Sequence, residues 1–270
     1  MELLIVWKIL VSIAAVVGLS LVAEHVSPRV AGILSGYPLG SAIALFFIGI
    51  EQGAEFAAQA ASHTLAGFSA SLVLAGAYWL GSRGLSRWHL PAAALSGVVG
   101  FLLASALLNQ LPLALLSGGV LTLVTIVACT WLFRSIPNAL VGARVRFSHG
   151  VLLFRALMAT ATVLLITGLA SWIGPAWAGL LSAFPITLFP FMLIIHYSYG
   201  KPQVYTVIRN YPVGLWALAI YAVTIHFAYP SLGVGLGTLV GFAMASVYLV
   251  GLSFFYSWRQ RREARTDAAR

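Results

Sequence analysis

The sequence predicts an all-α polytopic membrane protein with nine transmembrane helices in a 4+1+4 inverted-repeat arrangement, N-terminus out and C-terminus in. Three observations predict it. Of the 270 residues, 61% are hydrophobic and 8% are charged. That is more apolar surface than a water-soluble domain can cover, so lipid is the solvent that fits it. Lysine and arginine alternate between successive loops, and one stretch of sequence occurs twice.

Apolar segments of about 20 residues, enough to cross a bilayer core, run over 3–22, 30–50, 54–80, 90–108, 113–134, 151–172, 176–197, 203–227 and 231–257. Span one is read as a membrane span and not as a signal peptide. It lacks a basic start and a small-residue cleavage site, and it belongs to the repeat. Turn signals separate the spans: Ser27-Pro28, Gly84, Leu111-Pro112, Pro137-Asn138, Gly174-Pro175, Lys201-Pro202 and Tyr229-Pro230. The single cysteine, Cys129, lies inside span five and excludes an internal disulfide.

The basic residues test the count. Arg29 follows span one. Arg83 and Arg87 follow span three. Arg134, Arg144 and Arg146 follow span five, with Arg155 just inside span six. Lys201 follows span seven, with Arg209 in early span eight, and five arginines follow span nine. Only Lys8, of 15 lysines and arginines, falls on the other side. Basic residues mark the cytoplasmic face, so the net charge of +9 needs no nucleic-acid partner. The setting implied is a multi-pass protein of the inner (plasma) membrane.

The repeat begins near the N-terminus. At an offset of 147, Gly32, Leu34, Ser35 and Pro38 match Gly179, Leu181, Ser182 and Pro185; Lys8 matches Arg155, Gly53 matches Gly200, His63 aligns with Asn210 and Gly67 matches Gly214. At an offset of 141, Val99-Gly100-Phe101 with Ala104-Ser105 matches Val240-Gly241-Phe242 with Ala245-Ser246. Residues 1–110 thus form one repeat of four spans, 111–137 a connecting fifth span, 138–258 the second repeat, and 259–270 a basic tail suited to anionic headgroups. With an odd number of spans per step, the second copy is inverted. Inverted repeats with interrupted helices are the architecture of secondary transporters.

The Leu-Ser-x-x-Pro motif on spans two and seven is the strongest candidate site. Proline lacks an amide hydrogen and clashes with the carbonyl four residues back. Pro38 should therefore release the carbonyl of Leu34, Pro185 that of Leu181, and Pro190 that of Ile186. Carbonyls freed inside a membrane need partners. Ser35 and Ser182 either supply them or bind a ligand. The expected substrate-binding set is Ser35, Tyr37, Pro38, Ser182, Phe184 and Pro185. Lys8 and Arg155 join it, each a few residues inside its helix, where it either attracts an anion or snorkels to the headgroups. A second set is expected to couple transport to protons or ions. Glu51, Glu55 and Gln59 are spaced by four, with Ser62 and His63 beyond, which suggests one helical face. Glu51 and Glu55 are the only acidic residues between Glu24 and Glu263. Thr206, Arg209 and Asn210 take the mirrored place. The alternative is that these groups sit in the interface and hydrogen-bond to neighbours. His196 and His226 are expected at the interface.

Ala92, Ser96, Gly100 and Ala104 recur every fourth residue, as do Gly233, Gly237, Gly241 and Ala245. Such grooves either pack tightly or form a sliding or dimerising surface. Gly233-x-Gly235-x-Gly237 follows no strand, so it is not a nucleotide loop. No metal site, cofactor motif, His-Glu-x-x-His, Gly-x-Ser-x-Gly or intramembrane aspartate is present, so no enzyme is expected.

Residues 175–227, through Ala-Gly-Leu-Leu-Ser-Ala-Phe-Pro, Ile194-Ile195-His196-Tyr197 and Gly214-Leu-Trp-Ala, resemble the GlpM-like small inner-membrane proteins. The resemblance implies a membrane setting, a link to envelope polysaccharide or small-solute handling, and a unit here duplicated and fused; it supplies no site residues. The expectation is a secondary transporter, monomeric or homodimeric, of a small solute or envelope precursor, with an anion suggested by Lys8 and Arg155. A lipid-headgroup translocase and a non-catalytic assembly or scaffold protein are the alternatives.

Overall fold

The computed structural model describes residues 2–24, 37–84, 88–138 and 149–268. Over these residues the chain is helical, with no strand. The helices are α1 (Glu2–Glu24), α2 (Leu39–Gln52), α3 (Ala54–Arg83), α4 (His89–Asn109), α5 (Leu115–Leu132), α6 (His149–Ser182), α7 (Leu188–Tyr199) and α8 (Lys201–Ala268); a 3₁₀ turn, Phe133–Ser135, extends α5. Five of them, α3, α4, α5 with its extension, α6 and α8, are long and apolar enough to cross a membrane. The apolar helices α2 and α7 are shorter, at 14 and 12 residues.

Glycine sets the joints. α6 and α8 are each two helices joined at one residue, Gly174 (φ 75°, ψ 173°) and Gly233 (φ 75°, ψ 171°), a backbone region that side-chain-bearing residues avoid. Pro175 then opens the next helix, where a missing N–H costs nothing. The expected turn at Tyr229-Pro230 is displaced: the helix runs through Pro230 and turns at Gly233. Proline's fixed φ fits a helix, whereas the reversal needs a positive φ that only glycine supplies cheaply. Gly53 (φ 94°) and Gly200 (φ 86°) end α2 and α7 in the same way, each donating its N–H to a carbonyl four residues back, Gly49 or His196, at 3.1 Å.

The expected spans two and seven are not continuous helices. Pro38 stands at the N-cap of α2; residues 25–36 lie outside the described residues. In the second copy, helix 175–182 ends at Ser182 and α7 begins at Leu188, with five non-helical residues between. Pro190 makes no second break. It lies in the first turn of α7, where a helix needs no backbone donor from it.

α3 is the centre of the bundle and packs against α2, α4, α5, α6 and α8. Of its apolar window 67% is buried, against 22% for α4 and 17% for α5, so α3 lies inside and α4 and α5 face outward. Two apolar cores flank it. One gathers its Leu65–Tyr78 portion with α4, α5, α7 and early α8; the other gathers Ala57–Ala61 with α2, α6 and mid-α8. In lipid such cores cohere through close packing and hydrogen bonds, because the tails are as apolar as the side chains.

The small-residue stripes are consumed by this packing. A Cβ at Gly100 would lie 2.9 Å from Ala77 of α3, and Gly81 of α3 abuts Ser96. Cβ atoms at Gly237 and Gly241 would meet the rings of Tyr229 and Tyr221 at 2.6 and 2.7 Å. At these positions the stripes close helix pairs within the chain.

Candidate functional site

The two proline breaks make the same local structure. Leu39 N–H donates to the carbonyl of Tyr37, and Ile186 N–H to that of Phe184, both at 2.8 Å. Ala42 N–H donates to Pro38 at 2.7 Å, and Phe189 N–H to Pro185 at 2.8 Å. Each pair of positions is 147 residues apart. The breaks also touch: a Cβ on Gly40 would lie 3.0 Å from the Cβ of Ile186. The residue before each proline meets a phenylalanine of a stripe-bearing helix, Phe184 edge-to-face with Phe101 at 5.2 Å and Tyr37 stacked on Phe242 at 5.7 Å. The Tyr37 hydroxyl also bonds Ser246 Oγ at 3.1 Å.

α3 serves the carbonyls around the second break. Thr64 donates its hydroxyl to Gly179 O at 2.9 Å, and the Ser71 hydroxyl bonds Ala183 O. Seven residues apart, the two lie on one face of α3. That close approach depends on glycine. Gly179 abuts the Ala60 carbonyl, and a Cβ on Gly67 would meet Ala183 Cβ at 2.7 Å. The carbonyl of Leu181, expected to be freed by Pro185, instead accepts Phe184 N–H at 2.9 Å. Ser182 is buried and donates to Ala178 O of its own helix at 2.7 Å. Pro38 and Pro185 are buried too. Ser35 lies outside the described residues.

The charged residues are placed differently from expectation. Lys8 is buried, paired with the Glu51 carboxylate at 2.7 Å, and donates to Thr167 Oγ1 at 2.7 Å. Its charge is thereby engaged within the fold. Glu51 lies in the last turn of α2, whereas Glu55 and Gln59 lie on α3 beyond the reversal at Gly53. The expected stripe is therefore not one helical face, and Glu55 is exposed. His63 is half-buried, its Cβ beside Gly179. Arg155 is buried with its guanidinium over the Phe191 ring, 5.4 Å from the centroid. Arg209 donates to the carbonyls of Arg134 and Ile136 at 2.8 and 2.7 Å, tying down the end of α5. Asn210 donates to Thr206 O of its own helix at 2.7 Å. As placed, Arg209 and Asn210 hold the fold together.

A polar cluster that the sequence reading missed sits at the other end of α3, a 30-residue helix about 45 Å long. His196, in the last turn of α7, is 2% exposed. Its Nδ1 bonds the Tyr78 hydroxyl at 2.9 Å and its Nε2 bonds His89 Nδ1 at 3.0 Å, the imidazoles stacked at 4.8 Å. The buried Ser82 hydroxyl bonds Tyr205 at 2.8 Å. Three separate spans supply Tyr78, His89 and His196, so no local spacing announces them. His226 bonds Ala58 O at 2.9 Å. Beside the cluster, a groove of about 410 Å³ runs between Leu90, Val151, Phe154, Leu193 and Tyr197. No group of three or more metal-ligating side chains occurs among the described residues.

Comparison with family models, with characterised proteins and with solved structures returns no match.

Proposed function

We propose that the chain is a secondary transporter of the inner membrane, nine spans in two inverted halves, moving a small solute past the point where its two broken crossings meet. The observation that carries this reading is the contact of the breaks, Gly40 against Ile186, with identical backbone bonding on each side. Discontinuous helices facing one another at mid-depth are where transporters of this plan hold substrate. On this reading the packed centre is the closed state, and admission of solute separates Gly40 from Ile186. Lys8 gives no preference for an anion, because Glu51 neutralises it. The likeness to GlpM-like proteins fits a duplicated and fused unit.

A lipid-headgroup translocase is the second reading, favoured by the apolar groove between α4, α6 and α7. Binding by thermal shift, followed by uptake into proteoliposomes, separates the readings. Organic anions, sugars and phospholipid headgroups are the probes. The expected result is that one class stabilises the protein and enters vesicles, and that Gly40→Val, which drives a side chain into Ile186, abolishes uptake while the protein stays folded. Uptake unchanged in Gly40→Val sinks the central-site reading. No binding and no uptake by any probe leaves the scaffold reading standing.

A further inference from the structure

The Tyr78–His196–His89 cluster has a proton-binding capacity that its geometry defines. A neutral imidazole carries hydrogen on one nitrogen and a lone pair on the other. His196 is bonded at both nitrogens, so the neutral cluster has two arrangements. In one, Tyr78 O–H donates to His196 Nδ1, His196 Nε2–H donates to His89 Nδ1, and His89 carries its hydrogen on Nε2. In the other, His89 Nδ1–H donates to His196 Nε2, His196 Nδ1–H donates to the Tyr78 oxygen, and His89 Nε2 is bare.

A proton added to that bare nitrogen forms one new N–H bond. No other bond breaks and no heavy atom need move. A further proton would place two N–H groups head to head across the 3.0 Å gap between the rings and break their bond. The capacity is one.

We infer that His89 and His196 together bind one exchangeable proton, taken up at His89 Nε2 from the end of the bundle that holds Arg134, Lys201 and Arg209. Resting on the transporter reading, we assign this proton as the coupling ion. Position supports the assignment. His196 lies in the last turn of α7, where the helix dipole favours a cation, and α7 is one half of the broken crossing. Protonation turns a neutral bond between α7 and α4 into a charge-assisted one, the stronger kind. The proton thus clamps the end of α7 to α3 and α4, and its loss loosens that end. The ionisable groups facing the pair are Tyr78 of α3, and Lys201 and Tyr205 of early α8. Arg155 of α6 faces α7 deeper, at Phe191.

The test is ¹⁵N-histidine NMR on the full chain in lipid nanodiscs, titrated from alkaline to acidic pH, in the wild type, His89→Gln and Tyr78→Phe. The expected result is that His89 and His196 change together and take up one proton between them. In His89→Gln the His196 midpoint moves by more than about one pH unit, the mark of coupled sites, while the other four histidines stay put. Independent titration of the two rings, or a His196 midpoint unmoved in both variants, overturns the shared-proton site. Proteoliposomes then test coupling. His89→Gln and Tyr78→Phe should lose uptake driven by a pH gradient but keep uptake driven by the solute's own gradient. Full pH-driven uptake in both variants overturns the coupling role. Absence of all uptake in the wild type overturns the transporter reading instead, and the NMR titration alone then decides the proton site.

Discussion

The proline break at the start of α2 and the one at the start of α7 share their backbone bonding and differ in chemistry. Both place a proline at the break, make the same two backbone bonds within 0.1 Å (2.7 against 2.8 Å, and 2.8 against 2.8 Å), and end at a glycine of positive φ. At their far ends they diverge. α2 carries Glu51 in its last turn, locked to Lys8; the position 147 residues on is Ser198, which is exposed. α7 carries His196 where α2 carries Gly49. The comparison teaches that two segments can share what the backbone needs at a break while their polar side chains differ.

The largest expected effect breaks this comparison at the Lys8–Glu51 pair. Glu51→Ala leaves a buried ammonium without its carboxylate and should cost roughly 3 kcal/mol, as removal of one partner of a buried pair does. Ser198→Ala, at the matching position on the exposed surface, should stay within about 0.5 kcal/mol. Unfolding in mixed micelles measures both. Equal effects would show that the pair contributes nothing specific. The double change Lys8→Met/Glu51→Leu should recover most of the loss, because it leaves no unpaired charge.

The middle effect sharpens the comparison. Gly179→Ala presses a methyl group onto the Ala60 carbonyl and should cost about 2 kcal/mol, in the range of overpacking. If the two halves are built alike, Gly32→Ala costs a similar amount. A neutral Gly32→Ala would confine the tight crossing to the second half.

The smallest effect concerns hydroxyls. Tyr37→Phe removes the bond to Ser246 and should cost about 1 kcal/mol. In the other half Phe184 stands at the tyrosine's position, and Ser105, the counterpart of Ser246, is buried with its hydroxyl unbonded. Phe184→Tyr supplies the missing partner and should be neutral or stabilising. A loss as large as that of Tyr37→Phe would show that the halves pack differently around this ring.

Periodic and local signals were legible in the sequence alone. Composition identified helices suited to a membrane, and five have that length and apolarity. The joint at Gly174 and the breaks at Pro38 and Pro185 were readable because a positive φ and a missing amide hydrogen are properties of single residues. The 147-residue offset carried the correspondence of the two breaks. Tertiary structure alone decided which polar groups meet. Lys8 with Glu51, Ser71 with Ala183, and Tyr78 with His196 and His89 join elements far apart in sequence. The Glu51/Glu55/Gln59 spacing misled because a reversal at Gly53 divides it between two helices. The physical reason is one of range. A backbone conformation is set by a residue and its neighbours, whereas the partner of a buried charge or hydroxyl is set by which helix faces lie within 3 Å of each other, roughly the reach of a hydrogen bond.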